Sequence, residues 1–167
     1  GDALGHGEAS FHVAKFGLRV VTKSGERNAA RGERGLRRRA EFGQVHAALK
    51  RVGGSYEECR GMETTLSLLW FTPGWMYFGH VGDSRIYYLP AGGDVIKQLS
   101  HDDTHVGWLF RNGKINEREA RSHPRRSVLQ KALGGGNQFV DPQVGAVGYE
   151  AGDTFLLCTD GLVEGLY

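Results

Sequence analysis

Two stretches near the start of the chain carry apolar residues at helical spacing. Phe11, Ala14, Leu18 and Val21 share a face over residues 8–21, and Phe42, Val45, Leu49 and Val52 share one over 36–52. Steps of three and four residues predict two amphipathic helices. A Gly- and Arg-rich loop is expected between them, from Ser24 to about Gly35. After Gly53-Gly54 the pattern changes. TTLSLLWFT (64–72) and WMYFGHV (75–81) are rich in β-branched and aromatic residues, and the Pro73-Gly74 pair between them suits a type II turn, so a β-hairpin is predicted. RIYYL (85–89) and DVIKQL (94–99) read as the next two strands of a meander. Helix signals return over 101–135. Asn116, with Glu119 three residues on, forms an N-cap pattern for a short helix running towards His123-Pro124. Val128, Leu129, Ala132 and Leu133 make a further short helical stripe, stopped at Gly134. Residues 142–150 and 154–159, joined through Gly152-Asp153, predict a closing hairpin. Helices layered on antiparallel strands make this an α+β domain.

Composition narrows the picture. Hydrophobic residues at 40% and charged residues at 24% are ordinary globular usage and exclude a disordered or collagen-like chain. Glycine, 26 of 167 residues, runs at about twice its usual share and favours a turn-rich scaffold over a helix bundle. No apolar run approaches the ~18 residues of a membrane span, and no signal peptide is visible. Cys59 and Cys158 are the two cysteines, too few for a disulfide framework or a four-cysteine zinc site, so a reducing, cytoplasmic setting is expected. The net charge of +2 gives no global field for nucleic acid. Basic residues crowd Lys23–Arg39 without interleaved aromatics. That is a solvated loop and the start of a surface helix rather than a nucleic-acid surface. The chain opens at Gly1 and closes at Tyr167, and residues 1–167 are expected to form part of one larger domain.

Three aspartates share a local grammar, each beside a glycine in an apolar context: Asp2, Asp83 and Asp160. Singly, such pairs are turn signals. Together, three carboxylates where strands run out into turns suit hard divalent cations such as Mg²⁺ and Mn²⁺, which prefer all-oxygen surroundings.

The order of the motifs goes further. GHVGDSRIYYL (79–89), preceded by GMETTLSLL (61–69) and followed by GDTFLLCTDGL (152–162), resembles the PPM family, the metal-dependent Ser/Thr phosphatases of the protein phosphatase 2C type. GKINEREARSHPRRSVLQKALGG (113–135) is similar to the bacterial-type block of that family. Multiple ordered motifs over almost the whole chain are far more specific than a lone glycine pattern.

The resemblance implies a layered β-sandwich flanked by helices, incomplete here, and hydrolysis of protein phosphoserine or phosphothreonine. It implies two Mg²⁺ or Mn²⁺ ions, with a third, weaker one in bacterial relatives. It also implies phosphorylated protein substrates, and the 113–135 block points to partners of bacterial Ser/Thr kinases. Asp2 and the Ala3 carbonyl match metal ligands, as does Asp160, and Asp83 matches the ligand of the weaker ion. Gly161 and Ser84 are expected to serve turn geometry, and Arg85 to pair with a nearby carboxylate rather than with phosphate. His6 is a minor candidate for proton donor to the leaving group. His80 is expected to be packed and hydrogen-bonded, and His101, Asp102 and Asp103 to form a loop feature. Residues 105–135 correspond to the family's mobile flap, whose Arg111, Lys114, Arg118, Arg121, Arg125 and Arg126 are placed to meet a phosphopeptide or to form a solvated face. Cys158, inside an apolar strand, is expected to pack rather than attack. The family's upstream Glu-Asp pair and downstream Asp-Asn ligands have no counterpart between Gly1 and Tyr167, which leaves a non-catalytic phosphoprotein-binding domain as the alternative. The short DALGHGEAS segment leans towards phosphatases acting on anti-sigma-factor antagonists, a second alternative.

Overall fold

The computed structural model describes residues 31–136 and 140–165. The helix predicted over 8–21 lies outside them, as do Asp2, Ala3 and His6. Helix α1 spans Arg31–Ser55, longer than the 36–52 prediction, so the expected loop gives way to helix from Arg31. Its buried stripe also differs from the expected one. Phe42 and His46 are buried and Leu49 packs on the same cluster, whereas Val45 and Val52 stay largely exposed. The stripe follows steps of four and three residues from Phe42, and Val45 and Val52 fall beside it.

A short 3₁₀ turn, Glu57–Cys59, leads into β1 (Glu63–Thr64) and β2 (Leu66–Thr72). Strand β3 (Trp75–Val81) pairs with β2 from Leu66 opposite Val81 to Thr72 opposite Trp75. The predicted hairpin is present, with Gly74 at φ +74, the geometry that a type II turn reserves for glycine. The meander then breaks. Strand β4 (Arg85–Leu89) joins a different sheet, between β5 (Lys97–Gln98) and β8 (Thr154–Cys158), while β3 lies between β2 and β7 (Gln143–Gly148). The chain crosses between the two sheets at Gly82-Asp83-Ser84, where Gly82 has φ +114, a conformation that L side chains resist.

Strand β5 is reduced to Lys97–Gln98; Asp94, Val95 and Ile96, the first half of the predicted strand, follow the Gly92-Gly93 turn without pairing, and Val95 and Ile96 are exposed. Helices α2 (His105–Arg111) and α3 (Glu117–Ser122) follow. The cap of α3 is as predicted: Glu119 N–H donates to Asn116 Oδ1 at 2.9 Å, and Asn116 N–H donates to Glu119 Oε2 at 2.7 Å. The helix expected over 128–133 does not form. Gln130 and Lys131 donate their N–H groups to the Asp103 carbonyl at 2.7 and 3.3 Å. Leu129 bridges Thr104, and Leu133–Gly134 is strand β6, paired with β1. Non-local pairing outcompetes a four-residue apolar stripe too short to sustain a helix alone.

Strand β7 (Gln143–Gly148) and β8 (Thr154–Cys158) are both present but do not form a hairpin. β7 pairs with β3 and β8 with β4, so the Gly152-Asp153 turn is a second crossing between sheets. Helix α4 (Asp160–Glu164) ends the described chain.

The layers are α1, the β2-β3-β7 sheet and the β5-β4-β8 sheet. Phe42, Val81 and Leu133 form the core under α1, joined by Leu66 and Leu68. Gly79 on β3 makes room for the Phe42 ring: a Cβ there would stand 2.6 Å from Cε2. Between the sheets, Phe155 packs on Phe71 (centroids 5.4 Å apart), Tyr88 (5.0 Å) and Tyr149 (6.0 Å). These rings fill the end of the sandwich near Leu89 and Thr154, and the opposite end carries Asp83 and Asp160.

Candidate active site

Strands β4 and β8 are antiparallel, with Arg85 opposite Cys158. Continuing that register two residues past the ladder sets Asp83, just before β4, against Asp160, the first residue of α4. Both carboxylates line one cleft of about 510 Å³. The segment expected to form the flap lines its other side through Val106, Phe110, Arg111, Arg121 and Arg126. Of the six basic residues proposed for the flap, Arg111, Arg121 and Arg126 line the cleft, whereas Lys114, Arg118 and Arg125 are exposed elsewhere.

Asp83 is only 6% exposed, and its Oδ1 is buried without a hydrogen bond, although the residue has other interactions. A buried carboxylate oxygen is costly unless a donor or cation shares it. Two carboxylates at one cleft match the oxygen preference of a hard divalent cation. Among the described residues no three His, Cys, Asp or Glu side chains stand close enough to hold an ion. The described part therefore supplies a fitting but partial donor set, and Asp2 and Ala3 belong to the undescribed part.

The loop that carries Asp83 is held from several sides. Arg85 forms a two-point ion pair with Asp102, Nε to Oδ1 at 2.9 Å and Nη2 to Oδ2 at 2.7 Å. The side chains are 23% and 19% exposed. Its guanidinium is held more firmly protonated than usual by the Asp102 hydrogen bonds. Arg85 thus pairs with a carboxylate, as expected, and its fork is closed to phosphate. Ser84 and Thr65 hydroxyls lie 3.1 Å apart. His80 is fully buried: Ser67 Oγ lies 2.8 Å from Nδ1, and Nε2 lies 3.0 Å from the Gly82 carbonyl. The carbonyl can only accept, so Nε2 carries the proton and Nδ1 takes the serine hydroxyl's hydrogen. Burial pushes the His80 pKa down, so the ring is neutral and structural, as predicted.

Asp102 and Asp103 do form a loop feature, and it is braced by hydrogen bonds to distant segments that local composition does not signal. Asp103 is 4% exposed. Its Oδ2 accepts from the Gly82 N–H at 3.1 Å and its Oδ1 from Gln143 Nε2 at 3.1 Å. Gln143 in turn brackets His101, accepting from its N–H at 3.0 Å and donating to its carbonyl at 2.7 Å. The polar run Ser100–Thr104 looks solvated by composition, and nothing local marks it as buried. Cys158 is half-buried, and burial pushes its thiol up, away from the thiolate.

Residues 14–167 match the family profile described as "Protein phosphatase 2C". The serine/threonine protein phosphatase PstP of Mycobacterium tuberculosis is 41% identical over 107 residues, 64% of this chain and 20% of that protein. The serine/threonine phosphatase stp of Listeria innocua is 38% identical over 122 residues, 72% of this chain and 47% of that protein. Among solved structures, the catalytic domain of PstP in complex with two manganese ions superposes with a TM-score of 0.61 at 31% identity, covering 80% of this chain and 52% of that one. The chain thus spans about half or less of the length of the relatives it matches.

Proposed function

The chain belongs to the protein phosphatase 2C family, and on that premise we propose that the protein containing it hydrolyses phosphoserine and phosphothreonine in protein substrates, using Mg²⁺ or Mn²⁺. One observation carries the reading: Asp83 and Asp160, distant in sequence, open into one cleft opposite the flap. When bound, two such ions supply an acidified water for in-line attack on phosphorus and neutralise charge on the phosphoryl oxygens. Asp2, the Ala3 carbonyl and Asp160 would together hold the two ions, and Asp83 would hold a third, weaker one. Arg111, Arg121 and Arg126 along the flap wall would orient the phosphoryl group and neighbouring acidic residues, since each guanidinium carries five N–H donors. Phe110 and Val106 would exclude water from the peptide side of the cleft. His6 is a candidate proton donor to the leaving serine or threonine oxygen. The raised Cys158 thiol argues against a cysteine phosphoenzyme. Similarity of the 113–135 block to bacterial phosphatases supports substrates phosphorylated by a Ser/Thr kinase. The two free thiols support a cytoplasmic setting, and among the described residues no helix is long and apolar enough to cross a membrane.

The test uses the full-length protein. Mn²⁺-dependent release of phosphate from a phosphothreonine peptide should disappear in EDTA and in Asp160→Asn. Full turnover in EDTA, or in that variant, would overturn the reading.

A further inference from the structure

Gly82, the residue before Asp83, has both of its backbone polar groups engaged. Its N–H donates to Asp103 Oδ2 (3.1 Å), and its carbonyl accepts from the Asp103 N–H (2.8 Å) as well as from His80 Nε2 (3.0 Å). Asp103 therefore grips this peptide with its side chain and its backbone at once. The same residue faces the flap. Its carbonyl receives the N–H groups of Gln130 and Lys131, where the flap returns to the sheet, and Thr104 bridges Leu129. The preceding residue repeats the arrangement: Asp102 clamps Arg85 with its carboxylate and accepts from Arg111 Nη1, on α2, with its carbonyl at 2.7 Å. One dipeptide thus joins both ends of the flap to the loop that carries Asp83, and Asp103 is the buried member.

We propose that Asp103 is a positioning residue, a strut between the flap and the Asp83 loop that sets where the Asp83 carboxylate stands in the cleft. It makes no contact with substrate. It acts through Gly82, so displacing the flap's return segment is transmitted to Asp83, and a cation drawn to Asp83 steadies the flap. The proposal rests on the reading of Asp83 as a cation-binding carboxylate. Asparagine at position 103 cannot replace the strut. Asp103 accepts from Gly82 on one oxygen and from Gln143 on the other, and an amide would point a donor at one of those donors.

The experiment is Mn²⁺ titration calorimetry on the full-length protein and on Asp83→Asn, Asp103→Asn and the double variant, with backbone hydrogen exchange over 105–131 measured with and without Mn²⁺. Asp83→Asn should abolish the weakest Mn²⁺-binding event. Asp103→Asn should weaken that event about tenfold, the usual scale for a group that orients a metal ligand, and should remove the Mn²⁺-dependent protection of the flap. Added to Asp83→Asn, the Asp103→Asn substitution should change Mn²⁺ binding no further, because the strut then has nothing to position. Equal losses with and without Asp83→Asn, or unchanged binding in Asp103→Asn, would overturn the proposal. An unaltered titration in Asp83→Asn would instead overturn the cation reading of Asp83, and the strut's purpose with it. If Asp103→Asn does not fold, Gln143→Met removes the neighbouring donor to Oδ1, and the same non-additivity with Asp83→Asn is expected.

Discussion

Adding one methyl group at Gly79 tests how the helix layer meets the sheet that leads to the active-site loop. The Cβ of Gly79→Ala would lie 2.6 Å from Phe42 Cε2 and 3.1 Å from Cζ, well inside van der Waals contact. Phe42 is 0% exposed and packed against Val81 and Leu133, so the ring has no free space to retreat into and α1 or β3 must shift. Overpacking of this kind costs about 1–3 kcal/mol, which for a domain of this size lowers Tm by roughly 3–9 °C. Phe42→Leu alone opens a void, with a cost of roughly 1–2 kcal/mol, below the range for full truncation to alanine. In the double variant the new methyl group occupies space that the ring vacated. Its loss should fall short of the sum of the single losses by about 1 kcal/mol or more. Urea unfolding of the four proteins, followed by circular dichroism, reads all three numbers. Strict additivity, or a Gly79→Ala protein as stable as the parent, would refute the assignment of Gly79 as the seat of the Phe42 ring.

Two further outcomes follow from buried polar groups beside the cleft. Arg85→Lys keeps the charge but loses the two-point fork on Asp102; with both side chains less than a quarter exposed, unfolding should show a loss of about 1–3 kcal/mol. Because the fork faces Asp102 and not substrate, KM for a phosphopeptide should stay within about threefold of the parent, and a large rise in KM with unchanged stability would assign Arg85 to phosphate instead. His80 has its pKa depressed by burial, so the unfolded chain takes up the proton first as pH falls. The neutral ring's contribution is complete above the unfolded value of about 6.5 and is lost as pH drops towards the folded value. Tm measured from pH 7.5 to pH 5 should fall less steeply in His80→Gln, and an identical slope would show that His80 does not carry this dependence.

What could be read from the sequence, and what could not, divides along the range of the forces involved. The capping box at Asn116 and Glu119, the Pro73-Gly74 turn and the β-branched and aromatic content of β2 and β3 are short-range. Their energetics are complete within a few residues, so pattern alone reaches them. The 128–133 stripe has helical spacing too. Its fate is decided by Asp103 and by Glu63–Thr64, which accept and pair its backbone from far along the chain. The expected closing hairpin fails for the same reason: β7 and β8 each find a better partner in a different sheet. Motif order singles out Asp83 and Asp160, but only the Arg85–Cys158 register explains why the two meet, because an antiparallel pair brings the start of one strand to the end of the other. Asp103 is the instructive omission. An acidic residue in the run Ser100–Thr104 reads as solvent-facing, since carboxylates are rarely buried unless satisfied. Here the Gly82 N–H and Gln143 Nε2 satisfy the carboxylate, and the Gln130 and Lys131 N–H groups satisfy the backbone carbonyl, from three separate segments that no local window contains. A buried carboxylate that needs a donor on each oxygen is expensive to assemble and serves poorly as mere glue, since an apolar side chain would stabilise as well. Its placement between the flap and the Asp83 loop is a reason for the chain to bear that cost.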